Sequence, residues 1–236
     1  MTDSQGIKIR KSQKRGRAKH GWLDSYFSFS FADYYDPDYM GFKSLRVINE
    51  DRVAPGKGFD THPHRDMEII SYIIDGELAH KDSMGNGSII KAGNLQRMTA
   101  GTGVQHSEYN PSSAHTAHLL QIWILPQKKG LPPSYEELNL NENLIDGLSL
   151  IASPEGKDGA LTIHQDARIF LGRFKTAQKI DYTLTPGRGA WIQMIKGEAE
   201  ISGNKVSPGD GCAIERIPEF SLTAQSGSEF LLFDLI

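Results

Sequence analysis

Short apolar runs separated by glycine-containing turns recur along almost the whole chain, and this pattern constrains the fold more than any other feature. Turns such as Asp75-Gly76 and Gly101-Thr102-Gly103 separate most of the runs. Short strands at regular spacing favour an all-β sandwich or barrel over a helical fold. The predicted strands cover 45–49, 68–74, 88–91, 95–99, 118–125, 148–152, 161–164, 167–174, 180–184, 191–195, 198–201, 211–215 and 230–235.

Length and internal similarity together predict two related β domains. A chain of 236 residues suits one large β domain or two domains of about a hundred residues each. The phrase IDGEL at 74–78 is similar to IKGEA at 195–199, and each precedes a second glycine turn. A Pro-rich, then polar and acidic stretch follows Leu125 and is typical of a linker. We therefore predict an N-terminal barrel over 1–130, a linker over 131–146 and a C-terminal barrel over 147–236.

Charge and cysteine content exclude several classes of protein. The formal net charge of −3 gives no global electrostatic reason to bind nucleic acid. Basic residues concentrate in the first twenty positions, where a solvated edge strand is favoured over an arm that contacts phosphates or an acidic partner. The single cysteine, Cys212, excludes an internal disulfide and a cysteine-based zinc site. Neither a membrane span nor an apolar signal segment is apparent, so we expect a cytoplasmic chain without a membrane partner.

Two short motifs carry the metal-ligating side chains. His62 and His64 are separated by Pro63, which favours extended backbone, so both imidazoles project from one face of a strand. His106 and Glu108 have the same spacing and also share a face. If the two strands are neighbours in a barrel, three imidazoles and one carboxylate meet.

This set of side chains suits a divalent transition metal. Imidazole binds iron, nickel, copper and zinc, and a carboxylate adds charge without filling the coordination sphere. The absence of thiolates argues against a structural zinc site. Open positions on the ion would admit a substrate, water or dioxygen. Each motif alone also occurs on protein surfaces, and it is their combination with preceding glycine turns that favours a metal site.

The same residues resemble a known family. The pattern G-x5-H-x-H-x3-E-x7-G over 56–76 is similar to the first motif of cupin barrels, with one extra residue before the last glycine. The pattern G-x-G-x2-H-x3-N over 101–110 is similar to the second, with Gly101 where proline is usual. The phrases THPHRDMEIISYIIDGELAHKDSMGN and RMTAGTGVQHSEYNPS specifically resemble pirins, and GWLDSYFSFSFADYYDP and HLLQIWILP extend the resemblance over nearly the whole chain.

The resemblance implies a bicupin fold, in which two jelly-roll-type β-barrels face each other and only the N-terminal barrel holds metal. The pirin ligands fall on His62, His64, His106 and Glu108. Many cupins use the glutamate of the first motif as a ligand, and here we expect that residue, Glu68, to accept a hydrogen bond that orients an imidazole. The matching stretch of the second barrel, 186–191, has no histidine.

The resemblance also implies an activity, the metal-dependent 2,3-dioxygenation of a flavonol such as quercetin, with O2 as co-substrate and release of carbon monoxide. Iron is the first expectation for the ion, with nickel, copper, cobalt, manganese or zinc as alternatives. Glu108 is expected to act as general base, and Phe59, Met98 and Trp123 to form apolar walls of the substrate pocket. Two alternatives stay open: a metal-binding regulator that contacts a transcription factor or metabolic enzyme, and a cupin that acts on another small enol or phenol.

Overall fold

The computed structural model describes residues 6–140 and 145–236, which form two compact units built almost entirely of β-strands. The N-terminal unit comprises residues 16–140 and 161–165. The C-terminal unit comprises residues 6–15, 145–160 and 166–236. The two β domains expected from the sequence are therefore present, and each is a pair of hydrogen-bonded sheets rather than a closed barrel.

Strands are numbered along the chain. Up to residue 140 they are β1 (Ile7–Arg10), β2 (Gly16–Lys19), β3 (Leu23–Phe27), β4 (Leu45–Val53), β5 (Gly58–His64), β6 (Glu68–Asp75), β7 (Glu77–Asp82), β8 (Gly87–Lys91), β9 (Leu95–Thr99), β10 (Val104–Tyr109), β11 (Ala117–Ile124) and β12 (Ser134–Leu138). The remainder are β13 (Gly147–Ser153), β14 (Leu161–Thr162), β15 (Ala167–Phe174), β16 (Gln178–Thr183), β17 (Gly189–Lys196), β18 (Ala199–Ile201), β19 (Asn204–Val206), β20 (Gly211–Ile214), β21 (Glu219–Ala224) and β22 (Ser228–Leu235). Two single-turn 3-10 helices occupy Ser12–Lys14 and Lys157–Gly159. In the described ranges no helix is long and apolar enough to cross a membrane.

The N-terminal unit contains a seven-stranded sheet in the order β12-β9-β6-β11-β4-β3-β2 and a four-stranded sheet in the order β5-β10-β7-β8. Its interior is layered because alternate residues of each strand point inward. On β6, Ile69 packs in one apolar cluster and Ile73 in another, while Ser71 between them is buried and polar. A polar layer thus lies between two apolar ones, and the functional side chains are found there.

The C-terminal unit contains strands in the order β1-β20-β17-β22-β15-β13 and a four-stranded sheet in the order β16-β21-β18-β19. Its core is largely apolar, because most inward residues of β17, β21 and β22 are aliphatic or aromatic, with the buried Asp234 of β22 as an exception. This core includes Ile192, Met194, Phe220, Leu222, Phe230 and Leu232. Hydrophobic burial therefore stabilises this unit.

The unit boundaries differ from those predicted from the sequence. Ser134–Leu138, placed in the predicted linker, is strand β12 and pairs with β9 of the N-terminal unit. Glu136 of β12 lies 2.7 Å from the buried Arg97 guanidinium, which needs a carboxylate partner away from water. Residues 141–144 of that linker lie outside the described residues.

Four of the basic N-terminal residues, Lys8, Arg10, Arg17 and Lys19, lie in strands at sheet edges, as predicted, although Arg10 is buried. Both β1 and β2 end the strand order of their sheets. Lys11 pairs with Asp210 at 2.9 Å, and Arg17 pairs with Asp24 at 2.8 Å. These cations are therefore partly neutralised within their own units.

Candidate metal centre and adjoining cavity

Strands β5 and β10 bring the three predicted histidine ligands together. The two strands are antiparallel neighbours, and His106 lies directly opposite His62. His64, two residues along β5, projects from the same face. One ring nitrogen from each of the three histidines lies within 4.8 Å of the others, and the Nε2 atoms of His62 and His106 are 3.0 Å apart. The spacing of His62-Pro63-His64 and His106 was therefore a correct guide to their convergence.

The hydrogen bonding of His62 leaves a lone pair free for a cation. Its Nδ1 donates to the backbone carbonyl of Asp60 at 2.7 Å, so the lone pair is on Nε2, which faces His106. Two lone pairs this close repel each other unless a proton or a cation lies between them. Two nitrogens bound at right angles to an ion, each at about 2.1 Å, are themselves about 3.0 Å apart. The donor set therefore fits a transition metal ion.

Burial keeps two of these histidines neutral, which is the form that binds metal. It lowers the pKa of His64 to about 4, and repulsion from His106 and His62 acts in the same direction. It lowers the pKa of His106 to about 3, with smaller contributions from His62 and His80. Both imidazoles therefore have free lone pairs at neutral pH.

Glu108 is buried beside His106 on β10. It lies opposite His80 of β7, and an oxygen of its carboxylate is within 4.8 Å of a ring nitrogen of both His80 and His106. A bulge in the pairing with β5 falls between His106 and Glu108 and places Glu108 opposite Phe59. His80 itself is buried, with its Nε2 3.3 Å from Asp82.

Three side chains of the opposite sheet hold the Glu108 carboxylate. Gln96 Nε2 donates to Oε1 at 2.8 Å and Ser71 Oγ donates to the same oxygen at 3.1 Å. Gln121 Nε2 donates to Oε2 at 2.7 Å. Because a carboxylate oxygen can accept two bonds, Oε2 retains one lone pair for an ion or a proton.

Sequence reasoning did not identify these three residues, although each carries a visible signal. Gln96, Ser71 and Gln121 lie in register on β9, β6 and β11, so they form one polar row across the sheet. Ser71 and Gln121 each interrupt an apolar run, and Gln96 is a buried polar residue of β9, so each requires a hydrogen-bond partner. The row thus marks the place where a charged or polar group of the opposite sheet is held.

A cavity of about 710 Å³ adjoins the centre, and His62, His64 and Glu108 form part of its wall. Most of the remaining wall is apolar. It includes Leu23, Phe27, Phe31, Phe59 and Trp123. A cavity of this size holds a drug-sized aromatic molecule.

Two of the three predicted wall residues line this cavity. Trp123 packs edge-on against His64, with ring centroids 5.0 Å apart, and Phe59 lies 6.5 Å from His62. Met98 does not line it, since its side chain is buried in the core with Ile69 and Val104.

The cavity wall also includes a carboxyl group that the sequence analysis did not single out. Asp51 is buried and hydrogen-bonded to Ser25. Burial, opposed by that hydrogen bond, raises the pKa of Asp51 to about 7.

Glu68, expected to orient one of the ligand imidazoles, makes its hydrogen bonds elsewhere. Thr99 Oγ1 donates to its Oε2 at 3.0 Å, and His164 Nδ1 lies 3.3 Å from its Oε1. Burial raises the pKa of Glu68, while Thr99 and His164 oppose the shift. Glu68 therefore orients an imidazole, but that imidazole belongs to His164 and not to the converging histidines.

The sequence and the fold match known proteins over almost the whole chain. A protein of Escherichia coli strain K12 named quercetin 2,3-dioxygenase is 48% identical over 229 residues, which are 97% of this chain and 98% of the relative. The crystal structure of YhhW from E. coli superposes with a TM-score of 0.95 at 47% identity and covers 98% of this chain and 97% of that chain. A structure described as bacterial pirin YhhW in complex with nickel(II) gives a TM-score of 0.93 at 47% identity, with 97% and 98% covered.

Two family profiles match the chain, each over the larger part of one unit. Residues 8–124 match the Pirin family, and residues 150–235 match the quercetinase C-terminal cupin domain. With these matches and a relative that shares nearly half of its residues over its full length, the chain belongs to the pirin family of the cupin superfamily.

Proposed function

We propose that the protein is a metal-dependent dioxygenase that opens the heterocyclic ring of a flavonol with O2 and releases carbon monoxide. One observation carries the proposal: three imidazoles converge beside a held carboxylate, and His62, His64 and Glu108 of this set line a largely apolar cavity of about 710 Å³. A flat, weakly polar substrate with a chelating pair of oxygens suits such a cavity. The E. coli relative named quercetin 2,3-dioxygenase supports the same reaction class.

In this proposal His62, His64, His106 and Glu108 hold one divalent ion. When bound, the ion supplies a Lewis acid that favours the deprotonated form of a coordinated hydroxyl and open positions for small ligands. Iron is the first candidate, and the nickel(II) complex of the E. coli pirin supports nickel as an alternative. Copper, cobalt, manganese and zinc are compatible with the same donors.

The protein's own groups would position the substrate and accept a proton. The edge-on contact of Trp123 with His64 places an aromatic wall beside the centre, where it can orient the substrate rings and exclude water. Glu108 Oε2 has one lone pair left beside the bond from Gln121, so Glu108 would accept the proton from the flavonol 3-hydroxyl while its carboxylate is displaced from the ion. Gln121, Gln96 and Ser71 keep that oxygen directed into the cavity.

The test combines metal analysis with a flavonol assay. Protein purified without added metal is analysed for its elements, loaded with iron(II) or nickel(II), and incubated with quercetin under air. Loss of flavonol absorbance together with carbon monoxide release is expected. Glu108→Gln is expected to keep part of the metal and to lose about 100-fold or more in turnover, the usual contribution of a positioned base. Gln105→Leu, on the outer face of the same strand, is the matched control.

Other results would point to the alternatives. If the protein binds stoichiometric metal and turns over a smaller enol or phenol but not quercetin, the proposed substrate is wrong and the enzyme class stands. Metal-dependent capture of a protein partner without any turnover would favour a regulator. Unchanged turnover in Glu108→Gln would remove the general-base assignment.

A further inference from the structure

The cavity beside the metal centre has a second buried polar region. Ser25, Asn49 and Asp51, here called the inner polar group, line the same cavity and are 2%, 4% and 4% exposed. The other charged or polar lining residues away from the centre, such as Arg17 and Lys19, are exposed. A ligand that fills the cavity therefore meets buried hydrogen-bonding groups at two places.

The inner polar group has unused hydrogen-bonding capacity. Asn49 Oδ1 is buried without a hydrogen-bond partner among the described residues. Asp51 contacts Ser25 through Oδ1, and this is the one side-chain hydrogen bond it makes within the described residues. A buried polar atom without a partner is costly, and a ligand hydroxyl that lies between Asn49 and Asp51 would remove that cost.

Strand register places this group next to the residues that hold Glu108. Asn49 of β4 lies directly opposite Gln121 of β11, and Gln121 donates to Glu108. Asp51 is two residues further along β4 and projects from the same face, while Ser25 lies opposite it on β3. The polar group therefore begins one strand, or about 4.8 Å, beyond Gln121.

Apolar rings line the same cavity as the metal-centre residues and the inner polar group. Phe27 lies opposite Asn49 in the register of β3 and β4, and Phe27 is 5.5 Å from Phe31, whose ring contacts Trp123. A planar aromatic ligand with polar groups at separate positions on its rings complements this arrangement of polar centre, apolar wall and polar group.

We propose that Asn49 and Asp51, supported by Ser25, form a second anchoring site that binds a phenolic hydroxyl of the substrate. The site selects polyhydroxylated flavonols over flavonols that carry the 3-hydroxyl alone. This inference rests on the proposed flavonol substrate and adds which flavonols the cavity prefers. One phenolic O–H donates to Asn49 Oδ1, and a neighbouring hydroxyl of the same ring donates to Asp51 Oδ2.

The test compares two ligands that present the same chelating group. Quercetin and 3-hydroxyflavone share the 3-hydroxyl and 4-carbonyl, but only quercetin has further hydroxyls. Dissociation constants are measured by fluorescence titration of nickel(II)-loaded protein under argon, where oxygen is absent and ring opening cannot occur. The native protein is expected to bind quercetin more tightly. Asn49→Leu is expected to weaken quercetin about 5- to 100-fold and to leave 3-hydroxyflavone within about twofold, because one buried hydrogen bond is lost.

Three further variants separate recognition from folding. Asn49→Asp keeps an acceptor oxygen and is expected to restore quercetin binding relative to Asn49→Leu. Ser25→Ala removes the support of Asp51 with a minimal change in volume, so it remains informative if Asn49→Leu folds poorly. Ser28→Ala, at a buried serine outside the cavity wall, is the matched control and is expected to bind both ligands as the native protein does.

Each contrary result has a distinct meaning. Equal weakening of both ligands in Asn49→Leu and Ser25→Ala, or no weakening of either, overturns the second anchoring site and leaves the proposed reaction standing. Failure of the native protein to bind 3-hydroxyflavone and quercetin overturns the flavonol proposal, and the anchoring site with it.

Discussion

Gln121 Nε2 donates a 2.7 Å hydrogen bond to Glu108 Oε2, and the two residues lie on different sheets of the N-terminal unit. The Glu108 carboxylate, which neighbours His106, is therefore oriented from across the interior. Side chains that hold a metal ligand in place commonly affect metal affinity almost as much as the ligand does. The seven-stranded sheet thus takes part in the centre although the histidines come from the four-stranded one.

Replacing Gln121 should weaken metal binding without removing any ligand. Gln121→Leu deletes the donor to Oε2 and leaves Glu108 free to rotate away from His106. The expected loss in nickel(II) affinity is about 10- to 100-fold, the range found when such orienting partners are removed. Competition against a chromophoric chelator measures the change, and Gln105→Leu, an exposed glutamine of β10, should leave the affinity unaltered.

His106 should be indispensable for metal retention. It belongs to both groups of converging side chains, those with His62 and His64 and those with His80 and Glu108. His106→Ala is expected to lower nickel(II) affinity by more than about 100-fold. That factor is the largest loss expected when only a residue that orients a metal ligand is removed. Elemental analysis after dialysis should find no stoichiometric metal. His115→Ala, at an exposed loop histidine, is the control, and full metal content in His106→Ala would exclude this centre.

The local part of the site could be predicted from the sequence because it depends on spacing within single strands. The alternation of His62 and His64 around Pro63, and of His106 and Glu108, requires only extended backbone to place each pair on one face. That β5 and β10 are neighbours is not encoded in either segment. The family resemblance supplied that information, and the structure agrees.

The remainder depends on contacts between distant strands, which local patterns do not reveal. The donors to Glu108 come from β9, β6 and β11, and their register across the sheet is set by long-range pairing. Met98 was assigned to the wrong environment for the same reason, since it pairs with Ile69 and packs in an apolar layer. Strand β12 was taken for linker because its segment is Pro-rich and polar, and its partner β9 cannot be read from composition.

Acid should destabilise the metal-free protein through His64 and His106. Both pKa values lie below the usual 6.5, at about 4 and about 3, chiefly because of burial. As the pH falls through 6.5 the unfolded chain takes up protons at these positions and the folded chain does not, so the free energy of unfolding decreases until the folded-state pKa values are reached. Urea denaturation of metal-free protein at several values between pH 7.5 and pH 4.5 measures this trend.

A variant isolates the histidine contribution to that trend. His64→Gln removes one of the two groups and is expected to make the decrease in unfolding free energy toward low pH shallower. His115→Gln, at an exposed position, should show the slope of the native protein. An identical slope in His64→Gln and the native protein would contradict the assignment of a depressed pKa to His64.

In the C-terminal unit, Asp234 should be a major determinant of stability. Its fully buried carboxylate accepts hydrogen bonds from Arg188, from Arg168 at 2.6 Å and from Tyr182 at 2.9 Å. Asp234→Ala would leave the half-buried Arg188 guanidinium with Asp166 as its remaining carboxylate partner, at a cost of up to about 3–5 kcal/mol in unfolding free energy. Urea denaturation tests this, with Asp181→Ala as control because the Asp181–Lys179 pair is exposed to solvent and should contribute little. A loss no larger than in that control would mean that Arg168, Arg188 and Tyr182 find adequate partners without Asp234.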